Sequence, residues 1–269
     1  MKMRKTRCIW LFAAFLILIT SHFALANPTL LQELKREDRF EARIYTAKDG
    51  STLSYRLLVP WNYDKTKSYP LVLMLHGIGE RGNDNIAELH NDLSILASDE
   101  YRAKYPCFVL VPQCPLNDMW APIINNSGKL SVLNKMTQAS KNAMAVLSDL
   151  RREFNIDPKR IYITGLSMGG FGTWDILAHY PHLFAAAVPI CGGGTPSKAK
   201  LFAQMPIWIW YGQIDNVVQP QLNIDMYNAL KAAGGDPKIT EVPNVGHDSW
   251  WNAYEDPDMW AWLFSQELK

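Results

Sequence analysis

A serine flanked by glycines is a candidate nucleophile in this sequence. Ser167 lies within the pentapeptide GLSMG (Gly165–Gly169), between an apolar run typical of a buried strand and a helical pattern that continues to His179. In a sharp strand-to-helix turn, small glycines let two backbones approach closely while the serine hydroxyl stays accessible. The pentapeptide alone is a weak signal, but its place between a strand and a helix favours a nucleophile.

A serine hydroxyl needs a base that removes its proton as it attacks, and histidine suits that step near neutral pH. His247 and Asp215 each follow a later apolar strand pattern. Such positions share one edge of a parallel sheet, so we predict a triad of Ser167, Asp215 and His247 in this chain order. Asp225 is the rival acid, but it falls inside a predicted helix at residues 221–232, where a solvated aspartate is ordinary.

A tetrahedral intermediate also needs backbone N–H donors aimed at its negatively charged oxygen. His76 ends another apolar strand pattern and opens the glycine-rich turn His76-Gly77-Ile78-Gly79. Such a turn can supply one donor, and the residue after the nucleophile can supply the other. We therefore predict the N–H groups of Ile78 and Met168 as the oxyanion hole.

Aromatic and polar residues near the same edge are candidate substrate contacts. Trp120 and Trp250 either line an acyl or aryl pocket or pack in the core. The polar residues of the loop Glu80–Asp84 either contact a substrate group or hold the loop in shape, and we favour the structural role. No histidine pair, cysteine pair or carboxylate cluster has metal-ligand spacing, and no dinucleotide-binding glycine pattern follows a strand. We therefore expect no metal and no cofactor.

Strand patterns that alternate with helical patterns must position these residues. The alternation predicts an α/β fold with a mostly parallel eight-stranded sheet flanked by helices. Asn85 and Glu88 have the spacing of a capping box that would open a helix over Ile86–Leu96. The predicted strands are Phe40–Thr46, Thr52–Val59, Leu71–Leu75, Cys107–Val111, Arg160–Thr164, Ala185–Ile190, Ile207–Tyr211 and Lys238–Val242.

The amino-terminal residues have the layout of a secretory signal. Basic side chains precede an apolar run over Cys8–Thr20, and Ala24-Leu25-Ala26 provides small residues for a signal peptidase. The run has about 13 residues, whereas a membrane-spanning helix needs about 20. We therefore expect cleavage near Ala26, a secreted or periplasmic product without a stable membrane anchor, and a single catalytic domain over residues 27–269.

Charge and cysteine content narrow the possible partners and covalent cross-links. Removal of residues 1–26 takes away four basic residues and no acidic one, which changes the formal charge from +1 to −3. Nothing in that balance suggests nucleic acid or an anionic surface as a partner. Cys107, Cys114 and Cys191 remain, too few for a disulfide scaffold and too far apart in the predicted sheet to pair.

Three blocks of the sequence resemble the bacterial single-domain carboxylesterases. These are relatives of the polyhydroxybutyrate depolymerase and feruloyl esterase group, often described as predicted peptidases or as phospholipase/carboxylesterase-like. The blocks are Leu75–Asn85, Gly165–Trp174 and Gly246–Trp250, and the resemblance extends from about Phe40 to the carboxyl terminus. It implies the α/β-hydrolase fold and metal-independent ester hydrolysis.

The resemblance also implies a Ser-Asp-His triad and an oxyanion hole, which map by motif onto Ser167, Asp215 and His247 and onto Ile78 and Met168. The leading hypothesis is an exported serine carboxylesterase that acts on small-molecule or carbohydrate-linked esters, including acyl or feruloyl decorations of polysaccharide. A serine peptidase of the prolyl-oligopeptidase-like type is the alternative, because the same triad cleaves amides. A binding module without turnover is disfavoured, since all three triad residue types are present.

Overall fold

Eight strands form one sheet in the computed structural model, which describes residues 38–269 apart from 92–93, 127–128 and 133–134. The predicted signal segment, residues 1–26, lies outside the described residues. The strands of the large sheet are β1 (Phe40–Thr46), β2 (Thr52–Leu58), β3 (Tyr69–Leu75), β4 (Phe108–Pro112), β7 (Ile156–Leu166), β8 (Ala186–Ile190), β9 (Trp208–Gly212) and β10 (Lys238–Val242), and a separate pair is formed by β5 (Ile123–Asn126) and β6 (Lys129–Val132).

The large sheet has the order β1-β2-β4-β3-β7-β8-β9-β10. Only β2 runs antiparallel to its neighbours β1 and β4, and every other pairing in the sheet is parallel. The predicted mostly parallel eight-stranded α/β sheet is therefore confirmed. The antiparallel pair β5–β6 was not predicted from the sequence, because its four-residue strands carry little pattern.

Helices cover both faces of the sheet, as the uninterrupted apolar strands predict. Along β3, Leu71, Leu73 and Leu75 belong to one core cluster, and Val72 and Met74 belong to the cluster on the opposite face. The helices are α1 (Ser94–Ala97), α2 (Asp99–Lys104), α3 (Gln138–Glu153), α4 (Met168–His179), α5 (Gln221–Ala232), α6 (Trp250–Glu255) and α7 (Pro257–Phe264).

The predicted helix over Ile86–Leu96 is wrong. Among the described residues of this region, which exclude 92–93, only a short 3-10 turn at Ala87–Leu89 and the four residues of α1 are helical. Asn85 has a left-handed backbone (φ 57°), and its side-chain amide donates to the Arg43 carbonyl oxygen instead of capping a helix. Asp84, one residue earlier, accepts the backbone N–H groups of Ile86 and Ala87.

The three cysteines of the described chain are all buried and unpaired, as predicted: Cys107, Cys114 and Cys191. Among the described residues, no helix is both long enough and apolar enough to cross a bilayer.

Candidate active site

Ser167, His247 and Asp215 form a continuous hydrogen-bonded chain at the carboxyl ends of β7, β10 and β9. The Ser167 hydroxyl oxygen lies 2.8 Å from His247 Nε2, and His247 Nδ1 lies 2.8 Å from Asp215 Oδ2. The three side chains that the sequence singled out are therefore brought together. The rival acid Asp225 lies on α5, where its carboxylate accepts a hydrogen bond from Gln221 one helical turn away.

Ser167 occupies a strained turn between β7 and α4. Its backbone has φ 53° and ψ −116°, a region that residues other than glycine seldom adopt. The flanking glycines make this turn possible, because a Cβ at Gly169 would collide with the Leu75 carbonyl oxygen and a Cβ at Gly165 with that of Gly169. The Ser167 N–H donates to the Ile190 carbonyl oxygen at 3.0 Å, which ties the turn to β8.

Asp215 is 5% exposed, and its ionised carboxylate serves as a hydrogen-bond acceptor. Its Oδ1 accepts the backbone N–H groups of Val217 and Val218 at 2.8 and 2.9 Å, while Oδ2 faces His247. Burial acts to raise the pKa of Asp215, but the hydrogen bonds from His247 and the two backbone N–H groups outweigh it and lower the pKa below its ordinary value. The carboxylate is therefore ionised near neutral pH and fixes the orientation of the imidazole.

Close packing of two loops sets the position of His247 relative to Asp215. The Ile214 N–H donates to the Val245 carbonyl oxygen at 3.0 Å. A Cβ at Gly212 would collide with the Gly246 carbonyl oxygen, so the two loops meet backbone to backbone. Trp250, partly buried, meets the His247 imidazole edge to face with ring centroids 5.6 Å apart.

The predicted oxyanion donors begin two helical segments beside the serine. Met168 is the first residue of α4, and Ile78 is the first residue of a 3-10 turn over Ile78–Glu80. N–H groups at such positions have no acceptor within their own helix, and a helix amino terminus favours negative charge. A Cβ built on Gly77 would lie 3.9 Å from Ser167 Cβ, so the glycine-rich turn directly adjoins the serine.

His76 stabilises the backbone of this glycine-rich turn, and its imidazole is uncharged. Its Nδ1 lies 2.6 Å from the Gly77 carbonyl oxygen, and its Nε2 accepts the Cys114 N–H at 2.9 Å. Because Nε2 is an acceptor, the hydrogen resides on Nδ1. Burial lowers the pKa of His76 to about 4. The sequence marked His76 only as the start of the turn, and its positioning role depends on a contact 38 residues away.

Trp120 is fully buried beneath the turn, which corrects the expectation that it contacts substrate. Its side chain is 0% exposed, its indole N–H donates to the His76 carbonyl oxygen at 3.1 Å, and it packs against Gly172 of α4. A ring without exposed surface cannot line an open pocket. Sequence position placed Trp120 near the catalytic edge correctly but could not reveal that it points into the core.

The loop Glu80–Asp84 is fixed largely by its own polar groups, as the favoured structural interpretation predicts. Arg81 donates to the carbonyl oxygens of Ile78 and Asp118 at 3.2 and 3.3 Å. Asp84 accepts a hydrogen bond from the Gln113 side-chain amide at 2.7 Å. The carboxylate of Glu80 is the exception, because its Oε2 is buried without a hydrogen-bond partner among the described residues.

Comparison with known proteins finds that this chain is similar to a carboxylesterase family and to a solved esterase structure. A family model described as phospholipase/carboxylesterase matches residues 62–257. The solved structure of a thermostable esterase is 36% identical and superposes with a TM-score of 0.80, and the alignment covers 86% of this chain and 64% of the esterase chain.

Two curated proteins match over smaller parts of their length. The bifunctional acetylxylan esterase/xylanase XynS20E of Neocallimastix patriciarum is 23% identical over 66% of this chain and 23% of its own. Poly(3-hydroxyalkanoate) depolymerase C of Paucimonas lemoignei is 39% identical over 22% of this chain and 15% of its own. The chain thus matches less than a quarter of the length of either protein. Because the family model spans well over half of the residues, the chain belongs to the phospholipase/carboxylesterase family of α/β-hydrolases.

Proposed function

We propose that this protein is a serine carboxylesterase that forms an acyl-enzyme on Ser167. The observation that carries the proposal is the continuous chain from the Ser167 hydroxyl through His247 to the buried Asp215 carboxylate. Each link is at hydrogen-bond distance, and the serine stands on a turn that exposes its hydroxyl. The carboxylesterase family and the thermostable esterase similar to this chain support ester substrates.

In the proposed reaction, the Ser167 oxygen attacks the ester carbonyl carbon while His247 Nε2 takes the hydroxyl proton. The carbonyl oxygen becomes negatively charged and accepts hydrogen bonds from the N–H groups of Ile78 and Met168. His247 then donates its proton to the departing alkoxide oxygen, which leaves as an alcohol. Water hydrolyses the acyl-enzyme by the same steps, and Asp215 holds the imidazole throughout.

Substrate class and location are further parts of the proposal. We infer that the substrates are small-molecule or carbohydrate-linked esters, including acyl or feruloyl decorations of polysaccharide. The similarity to a protein named as an acetylxylan esterase supports this class. The basic, apolar and small-residue layout of residues 1–26 supports export to the periplasm or exterior, with residues 27–269 as the catalytic domain.

The ratio of ester to peptide hydrolysis tests the proposal against the peptidase alternative. Amide hydrolysis requires protonation of a poor amine leaving group and usually needs a peptide held along an extended site. We expect kcat/KM for p-nitrophenyl acetate or a feruloyl ester to exceed that for matched peptide anilides by more than about 100-fold, a barrier difference of about 2.7 kcal/mol. Comparable values, or a preference for peptides, would favour the peptidase.

A further inference from the structure

Trp120 contacts both of the segments that carry the predicted oxyanion donors. Its indole N–H donates to the His76 carbonyl oxygen at 3.1 Å, two residues before Ile78. Its ring also meets the His76 imidazole edge to face, with ring centroids 5.2 Å apart. On its other side Trp120 packs against α4, the helix that begins with Met168. One fully buried side chain therefore lies against the turn of one donor and the helix of the other.

The contact between Trp120 and α4 is made at Gly172. A Cβ built there would lie 2.3 Å from Trp120 Cβ, and such an atom stands only about 1.5 Å from its own Cα, so the glycine backbone itself touches Trp120. The next residue, Ala121, belongs to the same buried apolar cluster as Phe171 of α4. Gly172 lies one helical turn after Met168, on the same face of α4. Because packed interiors transmit small shifts, the position of Trp120 also determines that of the Met168 N–H.

The glycine-rich turn needs bonds from outside to fix the direction of the Ile78 N–H. Glycines flank Ile78 on both sides and allow the backbone to rotate, and the pairing of β3 with β7 ends at Leu75, before the turn. The indole N–H of Trp120 holds the carbonyl of the first peptide unit of the turn. The imidazole of His76 holds the carbonyl of the next unit, at Gly77. The Ile78 N–H belongs to that second unit and points away from its carbonyl.

Trp120 is itself anchored to a third element, which makes it a fixed spacer. Its carbonyl oxygen accepts a hydrogen bond from the hydroxyl of Ser140, a fully buried residue of α3. Two residues before it, Asp118 Oδ2 accepts the Ala139 N–H in the first turn of α3 at 2.7 Å. The segment that carries Trp120 is thus held by α3 independently of the two donors.

We propose that Trp120 is a positioning residue of the oxyanion hole: its bond to the turn and its contact with α4 together set the separation of the Ile78 and Met168 N–H groups. This inference rests on the proposed function and assigns a role to a side chain that does not touch the substrate. Trp120 acts through the two donors, and its effect on the reaction is confined to the stabilisation of the negatively charged oxygen.

A change of one atom in the substrate separates this role from a general structural one. Trp120→Phe keeps a buried ring and removes the indole N–H, and kcat/KM for p-nitrophenyl acetate should fall about tenfold, less than the cost of losing a whole donor. The corresponding thiono ester places sulfur, a weak hydrogen-bond acceptor, where the carbonyl oxygen stands, so its hydrolysis depends less on the donors. The oxo-to-thiono ratio of kcat/KM should therefore fall about tenfold as well. A change that only disturbed Ser167 or His247 would slow both esters alike.

Trp260→Phe is the matched control. Trp260 is also 0% exposed and donates its indole N–H to a backbone carbonyl oxygen, that of Tyr254, at 2.7 Å. It belongs to the core cluster on the opposite face of the sheet, whereas Trp120 belongs to the first cluster. The control variant loses the same kind of buried hydrogen bond and should keep the wild-type oxo-to-thiono ratio.

Inhibition by a trifluoromethyl ketone gives a second measurement, because its adduct with Ser167 carries a negatively charged oxygen. The inhibition constant should rise about tenfold in Trp120→Phe and stay unchanged in Trp260→Phe. If Trp120→Phe does not fold, Ser140→Ala removes the anchor on α3 and should change both quantities about threefold in the same directions.

An unchanged ratio and inhibition constant in the folded variant, or equal losses with the oxo and thiono esters, would overturn the inference and leave the esterase proposal intact. A wild-type protein that hydrolyses p-nitrophenyl acetate no faster than its Ser167→Ala variant would overturn both.

Discussion

At the residue scale, the site depends on a few atoms whose roles follow from burial and hydrogen bonding. Residue type and chain order predicted which serine, aspartate and histidine would meet, because loops after parallel strands share an edge. Burial was not predictable in the same way. Trp120 and Glu80 both lie near that edge in sequence, yet the indole is fully buried and a carboxylate oxygen of Glu80 is buried without a hydrogen-bond partner among the described residues. Only tertiary packing decides such orientations.

Substitution of the two candidate acids tests which carboxylate orients His247. Asp215→Asn should reduce kcat for p-nitrophenyl acetate by about 10⁴, because the amide cannot hold the imidazole in the required tautomer. Asp225→Asn is the matched control and should have little effect, since its carboxylate pairs with Gln221 on α5. The opposite ranking, measured on folded variants, would assign the acid to Asp225.

His76 should remain neutral in mildly acidic solution, because burial lowers its pKa from 6.5 to about 4. Between these values the unfolded chain binds more protons than the folded one. The stability from the neutral imidazole is therefore full above pH 6.5 and is lost as the pH falls toward 4. Histidine ¹⁵N chemical shifts against pH will measure this pKa directly. A His76 titration near 6.5 would show that the imidazole is not buried as described.

At the element scale, strand patterns were more predictive than the capping-box signal. β1 and β10 have the predicted bounds, since alternating or continuous apolar residues specify strands directly. The predicted helix after Asn85 failed because that residue takes a left-handed backbone and its side chain does not cap a helix, while Asp84 accepts the N–H groups of Ile86 and Ala87. A capping box describes residue types, whereas the helix also requires the backbone to enter with suitable angles.

The turn between β7 and α4 gives an element-scale prediction about close backbone packing. Gly169→Ala should lower the free energy of unfolding by about 3 kcal/mol or more, because the new methyl group would collide with the Leu75 carbonyl oxygen. Gly79→Ala is the control, since a Cβ there would have no neighbour within 4 Å. We expect it to change stability by less than about 0.5 kcal/mol. Equal urea midpoints for the two variants would contradict this account of the turn.

At the scale of the whole molecule, the sheet order brings distant parts of the chain to one edge. β3 and β7 are adjacent and parallel, so the turn after β3 lies beside the serine after β7. The loops after β9 and β10, which carry Asp215 and His247, are adjacent for the same reason. The sequence predicted this arrangement through the alternation of strands and helices. It did not predict the long-range contacts of His76 and Trp120 that fix the turn.

Covalent labelling of the intact protein tests the central claim most directly, namely that Ser167 is the nucleophile of an esterase. After reaction with a p-nitrophenyl phosphonate ester, peptide mass spectrometry should find one adduct per chain, located on Ser167, together with loss of esterase activity. Ser167→Ala should take up no label and should lose about 10⁶ in kcat while remaining folded. An adduct on another residue, or a folded Ser167→Ala variant that keeps about a tenth of the wild-type activity, would contradict the account.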